Sequence, residues 1–199
     1  MRRAFPVNKK ADDFMDTLRF DRISGPLGDM LVVVADDQLV GLDFADHETR
    51  LRRLLERRYP DARYREQRDP LRLHAALERY FDGDFASLND VPLAAGGTHF
   101  EARAWAALRL IPPGATRSYA QQAAQIGAPT AARAIGAANG RKPISIVIPC
   151  HRVIGSNGAL TGYAGGVARK RWLLDHERAA AHAVQIDHAT TAAPNRLAA

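Results

Sequence analysis

The stretch Ser118-Tyr119-Ala120-Gln121-Gln122-Ala123-Ala124-Gln125-Ile126-Gly127-Ala128-Pro129-Thr130-Ala131-Ala132-Arg133-Ala134-Ile135-Gly136-Ala137-Ala138 decides how the second half of this chain folds. Ser118 has the chemistry of an N-cap, and the helix it opens is expected to run to Ile126, where Gly127-Ala128-Pro129 turns the chain. Thr130 is expected to cap a second helix through Ala138. Helix, tight glycine turn, helix is the pattern of a helix-turn-helix, although any two short helices joined by such a turn share it. The alanines, including Ala132 and Ala134, let the second helix approach either a nucleic-acid groove or another helix closely. Arg133 interrupts them with a long cation suited to a phosphate or to entering a base stack.

Upstream, Thr98 and Glu101 have the spacing of a capping box. The apolar stripe Phe100, Ala104, Trp105, Leu108 and Ile111 follows, until Pro112-Pro113-Gly114 ends that helix. Downstream, Ile144-Ser145-Ile146-Val147-Ile148 reads as a buried strand leading into Pro149-Cys150-His151-Arg152. A lone cysteine is more often an inert core residue than a nucleophile. Here a histidine and an arginine beside it create the electropositive setting that favours thiolate. Adjacent residues on an extended chain point to opposite sides, so His151 is expected to reach the thiol only through a bend or a water. A helix from Val167 to His176 brings Glu177 to its end, where the carboxylate either orients His151 or stays on the surface. The glycines around Gly155-Ser156-Asn157-Gly158 and Gly162-Tyr163-Ala164-Gly165-Gly166 suggest a backbone-lined slot with Tyr163 as a stacking wall, or else a flexible loop.

The first half has a different texture. Leu18-Arg19-Phe20, Met30-Leu31-Val32-Val33-Val34 and Leu39-Val40-Gly41-Leu42-Asp43-Phe44 are strand-like, separated by Gly25-Pro26-Leu27-Gly28 and Asp36-Asp37-Gln38. They predict a three-stranded antiparallel meander. Helices are expected from His47 to Tyr59 and, opened by Asp69-Pro70, through Leu71, Leu73, Leu77 and Tyr80. The fold class is α/β, organised as a loose arm over 1–15, a small α/β domain over 16–91, a linker over 92–97, a mostly helical domain over 98–178 and a tail over 179–199.

Charge separates the halves. Residues 1–97 carry sixteen Lys/Arg against eighteen Asp/Glu, whereas residues 98–178 carry eleven against three, so the net charge of +6 belongs to the second half. That asymmetry points to an anionic partner, nucleic acid first, or to a solvated basic face. With one cysteine there is no intramolecular disulfide, and the histidine spacings match no closed zinc site, so neither metal nor cofactor is expected. Nothing approaches eighteen consecutive apolar residues, and Met1-Arg2-Arg3 lacks the apolar stretch of a secretory signal. A cytoplasmic location and no membrane contact are expected.

From Gly97 to Glu177 the chain resembles the catalytic domain of the O6-alkylguanine-DNA alkyltransferases, also called methylated-DNA–protein-cysteine methyltransferases, in their stand-alone form. The carrying motif is Ile148-Pro149-Cys150-His151-Arg152-Val153, supported by Ser118-Tyr119, by Arg133-Ala134-Ile135-Gly136-Ala137-Ala138-Asn139 and by Gly162-Tyr163-Ala164-Gly165-Gly166. More faintly, the N-terminal meander and helices resemble that family's ribonuclease-H-like domain. The resemblance implies direct-reversal repair: a single-turnover transfer of the alkyl group from O6-methylguanine, and from O4-methylthymine, to Cys150. It implies activation of Cys150 through a water by His151 and Glu177, with Tyr119 rotating the nucleotide and later giving the guanine a proton. It implies that Tyr163, Val153, Ser156, Ala164 and Gly165 form the base pocket. The partner it implies is double-stranded DNA, met in the minor groove through Ser118, Thr130, Ala132 and Ala134, with Arg133 filling the gap left in the duplex. A monomer is expected.

The sequence departs from the family at Lys142, where an asparagine is usual. Lysine has no acceptor and cannot reproduce both halves of an amide contact. Asn139 standing in for the amide, or Lys142 contacting a phosphate, are the two alternatives. A lesion-binding protein with weak or lost transfer, and a Cys-His hydrolase, are the rival functions.

Overall fold

The computed structural model describes the backbone of residues 16–191 and the side chains of residues 16–179; the expected N-terminal arm over 1–15 lies outside them, as do residues 192–199. The chain is α/β. β1 (Thr17–Ile23), β2 (Met30–Ala35) and β3 (Gln38–Phe44) pair antiparallel in sequence order. Asp36 and Asp37 both adopt positive φ, 46° and 56°, the mirror-image two-residue turn whose twist matches a hairpin.

The sheet is nevertheless mixed, which corrects the antiparallel expectation: β4 (Arg63–Glu66) joins β1 in parallel and the order becomes β3-β2-β1-β4. β4 escapes a sequence reading because Arg63-Tyr64-Arg65-Glu66 has no apolar alternation, and an edge strand with two exposed residues needs none.

α1 (Glu48–Glu56) is shorter than expected and lies across one sheet face. Gly41 lets it approach, since a Cβ there would sit 3.1 Å from Leu51 Cδ1. Leu51 and Leu55 close a core with Leu18, Phe20, Leu31, Val33 and Val40. α2 (Leu73–Phe81) begins later than Asp69-Pro70 suggested because Arg72 is left-handed, with φ 53°. Asp69 still serves its start by accepting from the His74 N–H at 3.1 Å.

The opposite sheet face is covered by the second half of the chain. Val32, Val34, Leu42 and Phe44 share a core with Trp105, Leu108, Ile135, Ile144 and Leu173. Residues 92–97 run beside β3 on the way: Leu39 donates to the Pro92 carbonyl at 2.8 Å and Ala94 donates to that of Leu39 at 2.9 Å.

α3 (His99–Arg109) starts with the full capping box of Thr98 and Glu101. β5 (Arg117–Ser118) leads into α4 (Tyr119–Gln125), capped reciprocally by Ser118 and Gln121. α5 (Ala132–Arg141) begins at Ala132 with Ala131 as its uncapped N-cap residue, which corrects the role given to Thr130. The cause is local: the Ala131 N–H returns to the Ala128 carbonyl at 2.9 Å, closing a turn through Pro129 and Thr130 before the helix starts. β6 (Val153–Ile154) pairs in parallel with β5. α6 (Val167–Thr191) runs well beyond His176, so Glu177 sits within the helix.

The run 144–148 is buried but is not a strand. Ile144 makes a single bridge to Leu42, and Ile146 is left-handed with φ 63°. Its apolar character reflects enclosure between the two halves rather than a ladder. Among the described residues no helix is long and apolar enough to cross a membrane.

Candidate active site

Pro149, with ψ 64°, bends the chain into a single 3-10 turn, Cys150–Arg152. The bend changes the geometry expected of an extended segment: His151 is wholly buried, and Cys150 and Arg152 are only 5% and 7% exposed. All three residues face the interior, where α6 waits with Glu177.

Glu177 is fully buried, and its carboxylate is surrounded by donors. His151 Nε2 lies 2.9 Å from Oε1. The Arg152 guanidinium donates through Nη2 to Oε1 at 2.8 Å and through Nε to Oε2 at 3.0 Å. Tyr80 donates its hydroxyl to Oε1 at 2.8 Å, and the Gly114 N–H donates to Oε2 at 3.0 Å. Burial alone would raise the carboxyl, but the hydrogen bonds and charges of His151 and Arg152 outweigh it and hold Glu177 well below the usual carboxylate range. The same burial, with Glu177 beside it, pushes the Tyr80 phenol far up, so it remains a donor.

His151 is pulled below its ordinary value first by burial, against the opposing bond to Glu177, with Arg152 and Lys142 adding in the downward direction. A neutral imidazole beside an ionised carboxylate must place its proton on Nε2. Nδ1 is then the lone-pair atom, and it is buried without a hydrogen-bond partner among the described residues. The arrangement provides a proton acceptor next to a nearly buried thiol, held in one tautomer by an ionised carboxylate.

Tyr119, Tyr163 and Lys170 all lie within electrostatic reach of Cys150. The Tyr119 hydroxyl donates to the Thr161 carbonyl at 3.1 Å, tying the start of α4 to the glycine-rich loop. Burial raises its phenol, so it too keeps its proton. The Tyr163 ring stands edge-on to His151 with centroids 6.4 Å apart, and its buried hydroxyl has no partner among the described residues. Gly165 backs this wall: a Cβ there would fall 2.5 Å from Phe44 Cε2 and 2.8 Å from Tyr163 Cε1, so only glycine lets the loop pass. Ala164 is half-buried, Ser156 is exposed at the loop's rim, and Val153 is buried in β6.

Lys170 lies outside the residues anticipated from sequence. Its buried ammonium donates to the carbonyls of Val153 at 2.5 Å and Thr161 at 2.7 Å, pinning both ends of the pocket loop. Burial lowers its affinity for the proton, while Cys150 opposes that shift. Arg152 and Tyr80 were likewise not anticipated as partners of Glu177. For Arg152 the motif itself was the available signal; for Tyr80, 97 residues from Glu177, there was none.

The outer surface of α5 is open. Arg133 and Ala134 are exposed, Ala132 is half-buried, and Ile135, Ala138 and Asn139 face the core. Arg133 has no ion pair or hydrogen bond among the described residues. Thr130 is exposed and Ser118 half-buried on the approach to the same face.

Lys142 does neither thing the sequence allowed. It is wholly buried, its ammonium 3.4 Å from Ser145 Oγ and 5.9 Å from the Tyr163 ring centroid, so it does not reach out to a phosphate. Asn139 is not its substitute either: its amide donates to Gln122 Oε1 at 2.8 Å, and Gln122 Nε2 donates to the Ala104 carbonyl at 3.0 Å. Those bonds join α4, α5 and α3 and leave no amide for the segment before Cys150.

Comparison with known proteins agrees with this geometry. A family profile described as "6-O-methylguanine DNA methyltransferase, DNA binding domain" matches residues 99–179. The methylated-DNA–protein-cysteine methyltransferase of Salmonella typhimurium is 49% identical over 161 residues, covering 79% of this chain and 94% of that protein. A Mycobacterium tuberculosis protein of the same name is 50% identical over 134 residues, covering 66% of this chain and 81% of its own length. The crystal structure of Mycobacterium tuberculosis O6-methylguanine methyltransferase superposes with a TM-score of 0.68 at 39% identity, covering 83% of this chain and 94% of that one. A structure of the M. tuberculosis protein in complex with DNA gives 0.67 at 39% identity, covering 82% and 94%. With its cysteine-bearing turn, buried His-Glu-Arg cluster and near full-length relatives all in agreement, the chain belongs to the methylated-DNA–protein-cysteine methyltransferase family.

Proposed function

We propose that this protein repairs O6-methylguanine in duplex DNA, and O4-methylthymine by the same chemistry, by moving the alkyl group to Cys150 once and irreversibly. The observation that carries the reading is the buried pair of His151 and Glu177 beside the thiol, with Nδ1 left as a proton acceptor.

The lesion is inaccessible within a duplex, so the nucleotide must leave the stack, which costs a few kcal/mol and less for a poorly paired base. The α4 and α5 pair acts as a helix-turn-helix seated in the minor groove. Ala132, Ala134, Ser118 and Thr130 permit close approach, and Arg133 fills the vacated place in the stack. Tyr119 steers the nucleotide inward, and the base rests against Tyr163 in the slot bounded by Val153, Ser156, Ala164 and Gly165.

The thiol proton passes through a bridging water to His151 Nδ1, whose imidazolium Glu177 stabilises. The Cys150 thiolate then attacks the alkyl carbon in line; the S–C bond forms as the C–O6 bond breaks, and the electron pair leaves with guanine. Tyr119 gives the guanine its proton. The product thioether has no leaving group comparable to an acyl-enzyme's, so water does not regenerate the cysteine. The N-terminal half is a ribonuclease-H-like support, and the protein acts as a monomer in the cytoplasm without a cofactor.

Incubation with a duplex carrying labelled O6-methylguanine tests the reading. Label is expected on the Cys150 peptide at no more than one equivalent. Turnover beyond one equivalent points to a hydrolase, and binding without label points to a lesion-recognition protein; either result overturns the transfer reading.

A further inference from the structure

We propose that Asp43 and Arg50, both from the N-terminal half, are positioning residues that couple the docking of α5 on DNA to the placement of Cys150. The proposal rests on the transfer reading above and adds a role for residues which that reading does not use.

The bend between α5 and the acceptor segment lies at Lys142-Pro143, where the backbone turns extended with ψ 135°. Arg50, on α1, donates through Nη2 to the carbonyls of Gly140 at 2.6 Å and Lys142 at 2.8 Å. These carbonyls end a helix, where acceptors lack partners and the dipole favours a cation. Nη1 of the same guanidinium is paired with Asp43 Oδ2. Asp43 is fully buried in β3, and its other oxygen accepts from the Phe44 N–H and from Ser145 Oγ, each at 3.1 Å. Ser145 in turn receives the Lys142 ammonium.

A continuous path of charge-assisted hydrogen bonds therefore runs from the end of α5, through Arg50 and Asp43, to Ser145, five residues before Cys150. The backbone of β3 supports it: Leu42 donates to the Pro143 carbonyl at 3.0 Å, and Ser145 donates to that of Leu42 at 2.6 Å. The bend is buried and is clipped by these bonds from the N-terminal half. The other charged or titratable groups around it are Arg141, whose Nε is paired with Glu101 Oε1 at 2.5 Å, Tyr163 and Lys142 itself, and none of them binds the two carbonyls that Arg50 holds. A rigid clip of this kind transmits displacement of α5 to the acceptor segment, because both ends share one guanidinium–carboxylate pair.

The test is the ratio of two rates in Arg50→Met: transfer from a duplex bearing O6-methylguanine, and transfer from the free O6-methylguanine base, which needs no docking of α5. Duplex transfer is expected to fall about tenfold, the scale of a small misplacement of reacting groups, with the free-base rate within about twofold of wild type. A merely structural role lowers both rates together with the melting temperature. A fall in the ratio of less than about fivefold overturns the proposal, whatever happens to stability. If Arg50→Met does not fold, Arg50→Lys is read by the same ratio, since lysine keeps the charge but lacks the planar fork that spans both carbonyls and the carboxylate. Wild-type protein that labels Cys150 from neither substrate disposes of the transfer reading and of this proposal with it.

Discussion

The turn carrying Cys150 and the helix pair α4 and α5 are close in sequence and held in opposite ways. Around the turn, polar groups are buried and multiply bonded: Glu177 alone accepts from His151, Arg152, Tyr80 and Gly114. On the outer face of α5, Arg133 and Ala134 are exposed and small or unpaired. Under the proposed function the contrast reflects two tasks. A reactive thiol needs a fixed proton acceptor in a dry site, where electrostatic partners are strong and leaving one unpaired is costly. A groove-binding helix needs a surface that costs little to bury and yields to the shape of its partner. Changes at the turn should therefore disturb chemistry and folding together, whereas changes on α5 should disturb only engagement with DNA.

The sharpest test of the first half of that statement is Cys150→Ser. Transfer should fall by about a thousandfold or more, since an alcohol is a far weaker nucleophile at neutral pH than a thiol. Binding to the same duplex by gel shift should stay within about threefold, because Cys150 is nearly buried and off the α5 face. Persistent transfer would place the acceptor elsewhere. Glu177→Gln comes next. The neutral amide leaves Arg152 buried against no charge, at a cost of about 3 kcal/mol in chemical unfolding, and transfer should drop about a hundredfold as His151 loses its orienting partner. A variant that is stable yet slow, or fast yet unstable, would show that the two roles separate and would break the comparison.

Arg133→Ala tests the other region. Stability should change by less than about 0.5 kcal/mol, as for any exposed residue without partners, while duplex transfer falls about tenfold and free-base transfer is unchanged. Loss of stability here would mean that α5 is less independent of the core than its exposure implies.

The same contrast explains what could be read from the amino-acid sequence. Local signals were legible where local chemistry decides: the capping box at Thr98, the N-cap at Ser118, and the two-aspartate turn between β2 and β3 formed as their residue types require. The thiol and its histidine were named from a motif, and the distant glutamate from the family resemblance. The segment 144–148 misled because an apolar β-branched run looks alike whether it is a strand or an enclosed coil, and only the left-handed Ile146 separates them. β4 was hidden by polar edge residues. Lys142 and Lys170 were illegible for a different reason: buried cations are justified by partners elsewhere in the fold, and residue type alone predicts them on the surface, while Tyr80 was legible as an apolar helix position but not as a partner of Glu177.

The smallest expected effect bears on the turn again and has a definite sign. Burial holds His151 below its ordinary value, while the unfolded chain returns it to about 6.5. Between those two values the unfolded state binds the proton and the native state does not. Stability must then rise with pH through this window and be lost as pH falls below about 6.5. For one such group the loss from pH 7.5 to 6.0 is at most about 0.8 kcal/mol, measurable by urea unfolding at the two pH values. Glu177 adds nothing over that interval, since its carboxyl is ionised in both states well above pH 5; its own contribution disappears only in stronger acid. His151→Gln should flatten the slope. Should stability instead increase on acidification, His151 must be an imidazolium already paired with Glu177 in the native protein. Nδ1 would then carry a proton, and the base that prepares Cys150 would have to be another group.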